Sequence, residues 1–489
     1  MAIPVSGSER RGSPTVTLVV LGLAGFIYAA IQSAVLPALP NFQRSLHTSV
    51  DGAGWILITY LLSASVATPI IGRLGDMYGK HRLLVATLAG LCAGTLLAAL
   101  SHSIALLYVA RVIQGVSGGI VPLSFGIVRD EMPRARVATS IGIVSSMLGV
   151  GGGAGIVLGA LVLEHASWQW LFWASLLPSV LVGVLAWRVI PPSPVRTPAR
   201  VNWTAAVLMS VGMSGVLIAV SEAASWGWGS PKTLGLLAVG LAGCAAWVGW
   251  EVRAREPLVD MRLMRIRAVW TTNLSAALLG GGMYAVFLIV PEFVQEPRST
   301  GYGLGAGILQ SGLYLLPLAV AMLVMSLQAG RIALRFGSKN ALLVGSLVTA
   351  GSFALMLVAH SSGWNFYLTS TCFGLGMGLA FAALGNLIVD AVPRTHTGVA
   401  SGMNAVMRTL GGAVGAAFVA TFIAGDIHAG QPAVGGFELS MVVAAVLLTL
   451  SGAAALLIPS RSAATDQVTA TAAAAPATAA APEPEPARL

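Results

Sequence analysis

The chain has 489 residues, 56% of them hydrophobic and 9% charged, with mean hydropathy +0.83 and a formal net charge of +9. A soluble globular protein carries roughly 25% charged residues, so this composition excludes one. The positive balance does not indicate nucleic-acid binding, because Lys and Arg stand in short loops between apolar runs and form no basic patch interleaved with aromatics.

A bilayer core requires about 20 apolar residues of helix. After a polar N-terminal segment (1–14, with Arg10 and Arg11), fourteen runs meet that requirement. Six fall near 15–37, 52–72, 83–101, 104–128, 136–163 and 170–190, an N-terminal bundle over 15–190. Two more, near 203–222 and 232–250, form an inserted pair, and a run of their length is also compatible with a re-entrant segment. The last six, near 268–294, 304–329, 339–360, 365–392, 396–424 and 437–459, form a C-terminal bundle over 268–459. The first run has no small-residue cleavage site after a short core, so it reads as a retained span and not a signal peptide.

The even span count puts both termini on one side. Loops on that side hold Arg73, Lys80, Arg82, Arg129, Arg134, Arg136, Arg331, Arg335, Lys339 and Arg394, among others, whereas those on the other side hold only Arg44, Lys232 and Arg298. This asymmetry predicts a multi-pass protein of the cytoplasmic membrane with both termini cytoplasmic. The linker 251–267 is the longest basic stretch and reads as an amphipathic segment lying on anionic lipid. The tail 462–489 is Ala- and Pro-rich and cannot bury a core, so disorder is expected. Cys92, Cys244 and Cys372 sit inside apolar runs, which suggests neither disulfides nor a metal site. The seven histidines are scattered over loops and span ends, which argues against a membrane enzyme, and no cofactor is expected.

The chain is duplicated. The turn Gly72–Arg82 (GRLGDMYGKHR) returns 258 residues later as Gly330–Asn340 (GRIALRFGSKN), and Pro133 after span 4 returns as Pro393 after span 12, 260 residues on. Spans 1–6 therefore correspond to spans 9–14. Parallel six-span repeats place a substrate site between two bundles near the midplane.

Four motifs carry a family resemblance: GRLGDMYGKHR after span 2, Arg111-Val112-Ile113-Gln114-Gly115 in span 4, Trp55–Tyr60 (WILITY) in span 2 and Trp168–Trp173 (WQWLFW) entering span 6. Over roughly 15–460 the chain resembles the major facilitator superfamily, and within it the fourteen-span drug–proton antiporter branch (QacA/EmrB-type exporters). The resemblance implies an all-α membrane fold of two six-helix bundles plus two inserted helices, without enzymatic activity. It also implies that Gly72, Arg73, Gly75, Asp76, Gly79, Lys80 and Arg82 form a gating turn. On the residues alone Asp76 is equally a solvated loop carboxylate. As a latch it has three available partners, Arg129, Arg136 or the N-terminus of span 13 near His396, where the helix dipole favours negative charge. The second copy has Leu334 in the place of Asp76, so one such latch is expected.

Arg111 lies within the hydrocarbon, where a charge is costly and usually functional or paired. The resemblance implies a role in proton coupling through a nearby carboxylate, and Gln114, one turn on, can share its network. The branch commonly carries an acid in span 1, where this chain has Tyr28. The remaining acids near span ends include Glu222 and Glu292. Glu292 follows Pro291 and is preferred as the titrating group, with an interfacial acid facing water as the alternative. The Gly-Pro element that antiporters of the family carry in span 5 is degenerate here, reading Gly155-Ile156. Gly151, Gly155 and Gly159 of that span, and the glycines of span 13, are expected to pack helices closely. Tyr28, Gln32, Asn273, Tyr284, Gln310, Tyr314, Asn386, Asn404 and Arg408 are the polar groups available to a central cavity, each equally able to make a helix–helix bond. Arg408 has two candidate partners, a substrate anion or a carboxylate such as Asp390. The expected function is proton-coupled efflux of small hydrophobic or amphipathic compounds by a monomer in the bilayer, with an importer or uniporter of a small metabolite as the alternative.

Overall fold

A chain that crosses a bilayer must pair its own backbone N–H and C=O groups, so each long apolar run becomes a helix. The computed structural model describes residues 13–193, 201–360, 362–428 and 431–459. Residues 1–12, Arg196, Arg200 and the tail 462–489 fall outside them. Among the described residues fourteen helices are long and apolar enough to cross a membrane. The N-terminal six are α1 (Pro14–Ser33), α2 (Val50–Tyr78), α3 (Lys80–Ala99), α4 (Ile104–Glu131), α5 (Arg134–His165) and α6 (Gln169–Val189). The inserted pair are α7 (Trp203–Ser221) and α8 (Pro231–Arg253). The C-terminal six are α9 (Arg267–Gln295), α10 (Ile308–Phe336), α11 (Ser338–Val358), α12 (Gly363–Asp390), α13 (Thr397–Gly425) and α14 (Val434–Leu456). The ends bearing the Lys- and Arg-rich loops are called the basic end below.

The duplicated turns are duplicated in backbone as well. Gly79 ends α2 with φ +105° and Gly337 ends α10 with φ +84°, a region that side chains with a Cβ rarely adopt. The next helix starts at once, at Lys80 and at Ser338.

The bundles meet along two seams, α2 against α13 and α10 against α5, which the repeat relates to each other. Small residues set both. A Cβ on Gly72 would stand 2.5 Å from the Gly398 carbonyl oxygen, and one on Gly402 would stand 3.1 Å from the Pro69 Cα. At the related seam a Cβ on Gly330 would stand 2.5 Å from the Thr139 Cα.

Gly151, Gly155 and Gly159 lie one turn apart along α5 and face α1. A Cβ on them would stand 3.0 Å from the Phe26 Cα, 2.8 Å from the Ala30 Cα and 3.0 Å from the Ala34 Cα. The backbones touch, as small residues permit. Gly411 and Gly415 of α13 face Ala277 and Gly281 of α9 in the same way.

The inserted pair consists of two full helices and no re-entrant turn. Gly212 and Gly215 of α7 pack on Cys244 and Gly240 of α8. Ala205, Met209 and Met213 of α7 bury against Val399, Met403 and Val406 of α13, so the pair rests on the α2–α13 seam. Trp228, between α7 and α8, donates its indole N–H to the Thr421 hydroxyl of α13 (2.9 Å).

The linker 251–267 departs from expectation. Buried Glu251 accepts the backbone N–H groups of Leu258 and Val259 (both 3.0 Å) and the Trp247 indole N–H (3.1 Å), folding the linker back on α8. Leu258, Val259, Leu263 and Ile266 are buried in protein, while Arg255, Arg262 and Arg265 are exposed. The amphipathic pattern is real, but its apolar face is covered by the bundle and not by lipid.

Candidate functional site: a latch at the basic end and a polar cluster between the bundles

The candidate latch lies where α2 reaches the start of α13. The glycine crossing at Gly72 and Gly398 brings Asp76 to the N-terminus of α13. Its Oδ1 accepts the Gly398 N–H (3.3 Å) and its Oδ2 the Val399 N–H (3.2 Å). These are among the first N–H groups of a helix and have no partner within it, so a carboxylate there meets both free donors and the positive end of the dipole. Asp76 is 1% exposed. Of its three expected partners, the helix terminus is the one it binds directly.

Behind Asp76 stands Lys80, fully buried, 3.7 Å from the Asp76 carboxylate and 2.7 Å from Asp130 Oδ2 at the end of α4. Gly126 of α4 leaves room for its aliphatic stem, since a Cβ there would come within 2.5 Å of Lys80 Cδ. Arg129 spans the bundles: its Nη1 donates to the Thr397 hydroxyl (2.7 Å), and Asp390, Asp130 and Asp76 act on it electrostatically. Arg73 is 8% exposed and lies within electrostatic reach of Asp76, Glu251 and His396. Gly75 opens space for the Leu123 side chain.

One residue of the turn, Arg82, and one expected partner of Asp76, Arg136, do not join the contact. Arg82 and Arg136 are exposed, Arg136 in the first turn of α5. In the second copy Leu334 is 59% exposed, so no equivalent carboxylate contact exists there.

The expected coupling group is dispersed. Arg111 is fully buried, donates from Nε to the Ile56 carbonyl (3.1 Å) and from Nη1 to Gln114 Oε1 (2.8 Å), and Gln114 donates to Thr95 Oγ1 (3.0 Å). Its guanidinium lies 4.3 Å from the centre of the Tyr60 ring, and Tyr60 is its electrostatic neighbour where a carboxylate was expected. Glu292 is exposed at the far end of α9, and Glu222 caps the end of α7, where the Ser225 hydroxyl donates to it (2.9 Å). Both are held at helix ends in other parts of the molecule, so neither serves Arg111 in this state.

The proposed cavity set divides. Tyr28 of α1, Gln32 of α1, Tyr284 of α9 and Arg408 of α13 gather between the bundles: Gln32 Nε2 donates to the Tyr284 hydroxyl (3.2 Å), and Tyr28 and Tyr284 are the groups acting electrostatically on Arg408. Arg408 lies 4.7 Å from the centre of the Phe381 ring of α12, and Tyr28 stands 6.5 Å from Tyr60, ring centre to ring centre. Tyr28, Gln32, Tyr284 and Arg408 are all half-buried, and Tyr28, Tyr284 and Arg408 lie well inside their helices, with Gln32 one turn beyond Tyr28.

The other members are elsewhere. Asn404 donates to Asn273 (3.0 Å), a bond tying α13 to α9. Gln310 is exposed near the start of α10, and Tyr314 packs on Phe366 and Tyr367 inside the C-terminal bundle. Asn386 is buried in α12 with neither side-chain polar atom bonded among the described residues. Asp390, a candidate partner for Arg408, faces Arg129 instead. Sequence reasoning missed Tyr60, Phe381, Asp130 and Thr397. Tyr60 stood in a quoted motif, and the other three are marked only by neighbours brought in from distant spans.

Two related six-helix bundles that meet at a buried charged contact and hold polar groups between them have the architecture of a secondary transporter. Residues 21–416 match the Major Facilitator Superfamily, and the chain belongs to it. It is 30% identical over 456 residues to the tetracenomycin C resistance and export protein of Streptomyces glaucescens, covering 90% of this chain and 82% of that one. It is 28% identical over 426 residues to a uridine/deoxyuridine transporter of Lactococcus lactis, covering 84% of this chain and 87% of that one. Among solved structures it is similar to the human organic anion transporter MFSD10, with a TM-score of 0.65 at 16% identity over 92% of this chain and 100% of that one. That last likeness is one of fold.

Proposed function

We propose that the protein exports small hydrophobic or amphipathic compounds across the cytoplasmic membrane in exchange for protons, with both termini and the basic end in the cytoplasm. The observation that carries this reading is the Asp76 contact with the first amides of α13. It supports a transporter held shut at its basic end, and the Lys and Arg asymmetry supports a cytoplasmic location for that end. Alternating access then consists of breaking the α2–α13 contact and rocking one bundle against the other. A proton reaching the Asp76–Lys80–Asp130 cluster would neutralise a carboxylate and weaken the latch, which links proton movement to opening. Export is favoured by the likeness to the tetracenomycin C exporter.

A second reading, uptake or facilitated passage of a small metabolite, is favoured by the likeness to the uridine/deoxyuridine transporter and by Arg111 having a phenol and no carboxylate beside it. Expression in a pump-deficient bacterial host separates the two. Export predicts lowered accumulation of some compounds in a broad panel, restored by a protonophore; no effect on any compound favours the second reading.

A further inference from the structure

Among the described residues, charge away from the helix ends is one-sided. Arg111 and Arg408 lie well inside their helices, and the groups acting electrostatically on them are tyrosines alone: Tyr60 on Arg111, Tyr28 and Tyr284 on Arg408. The acidic residues within or beside the spans, Asp51, Asp76, Asp130, Glu164, Glu222, Glu251, Glu292, Asp390, Asp426 and Glu438, all stand near helix ends. A guanidinium without a counter-ion in a low-dielectric interior costs several kcal/mol, and such charges normally mark a ligand or ion path.

Arg111 has two nitrogens bonded and its face stacked on Tyr60, with Nη2 buried and unbonded among the described residues, and its partners all belong to the N-terminal bundle. Arg408 instead faces groups of both bundles. It lies about 16 Å along α13, counting 1.5 Å per residue from Thr397. It rests on the Phe381 ring and is half-buried among the facing bundles. The Tyr284 hydroxyl beside it accepts from Gln32, which leaves its own O–H free to donate, and the Tyr28 phenol lies alongside, hydrogen-bonded to Tyr60. One cation, a phenol donor and an aromatic floor match a negatively charged group carried on an aromatic body.

We propose that Arg408, Tyr28, Tyr284 and Gln32 form an anion-recognition subsite, and that the transported compounds are amphipathic aromatic anions, such as carboxylates or acidic phenols. This rests on the export reading for the word "transported"; the subsite itself does not. Arg408 supplies the charge, the Tyr284 hydroxyl orients the anion, and Phe381 holds the guanidinium plane.

The test is equilibrium binding to the purified, detergent-solubilised full chain with three probes sharing one aromatic body: pyrenebutyrate, its uncharged amide, and the pyrenebutyl trimethylammonium cation. Binding needs no gradient, so a failed export assay leaves the result readable, and a failed binding assay leaves export open. The expected result on the unmodified protein is at least tenfold tighter binding of the anion than of the cation. Arg408→Gln is expected to bring the anion-to-amide ratio close to one, with Arg408→Lys in between. Equal binding of the three probes, tighter binding of the cation, or an unchanged ratio in Arg408→Gln would overturn the proposal. A lipid phosphate carries the same charge, so displacement of pyrenebutyrate by a few mole per cent of phosphatidylglycerol in the micelle would equally overturn it.

Discussion

Asp76→Asn is the most incisive perturbation of the latch. The change keeps shape and one carbonyl oxygen but removes the charge that meets two helix-terminal N–H groups at 3.2 and 3.3 Å. Hydrogen bonds to a charged group contribute about 1.5–3 kcal/mol each against about 1 for neutral ones, and a buried carboxylate at a helix N-terminus adds up to about 2. Part of this is returned, because the neutral side chain no longer needs desolvation. A net loss of about 2–3 kcal/mol for the closed state is expected, a 30- to 150-fold shift of the equilibrium toward opening at the basic end. Lys80 keeps Asp130 at 2.7 Å, so folding and expression should survive. Spin labels at Tyr78 and Phe336, exposed on the two related turns, read the separation of the bundles directly by double electron–electron resonance. The variant should show a longer distance population and no transport in a vesicle efflux assay. An unchanged distance distribution together with full transport would refute the latch.

Lys80→Met leaves two buried carboxylates facing an apolar side chain, and breaking such a pair costs about 3–5 kcal/mol; the detergent melting temperature should fall, with partial recovery on adding Asp130→Asn. Gly151→Val should abolish folded protein in size-exclusion chromatography, because a Cβ there would meet the Phe26 backbone, whereas Gly152→Ala meets nothing within 4 Å and should match the unmodified protein. Glu292→Gln should leave the pH dependence of transport within about twofold, since the group is exposed and is not among the groups acting on Arg111. Arg111→Lys should reduce transport at least tenfold while retaining the fold, because Lys can keep neither the stacking on Tyr60 nor the paired donors to Ile56 and Gln114; these are read together from a transport assay and a thermal melt.

Spans were legible because a bilayer imposes one length and one composition on every crossing, and the repeat was legible because glycine at positive φ and proline after a helix leave fixed marks. Gly79 and Gly337 illustrate this. Asp76 could be nominated from its turn, but its partner is a pair of backbone amides more than 300 residues away, which no side-chain pattern announces. Polar residues were harder. Asn273 and Asn404 look the same in sequence as Gln32 and Tyr284, yet one pair ties two helices together and the other lies between the bundles. Rotation about the helix axis decides which, and the spans are apolar all round, so periodicity gives no phase. The linker misled for a related reason: an apolar stripe reads alike whether protein or lipid covers it, and the Glu251 contacts that fold it inward are made to backbone N–H groups seven and eight residues on.

The measurement that bears most directly on proton-driven export is proton flux in reconstituted liposomes with a pH dye in the lumen. Vesicles are prepared acid inside with the basic end outward, and a compound from the accumulation screen is added outside. The account predicts uptake of the compound into the lumen coupled to release of luminal protons, both lost in Asp76→Asn. Uptake of the compound without proton release, or with protons moving in the same direction, would contradict it.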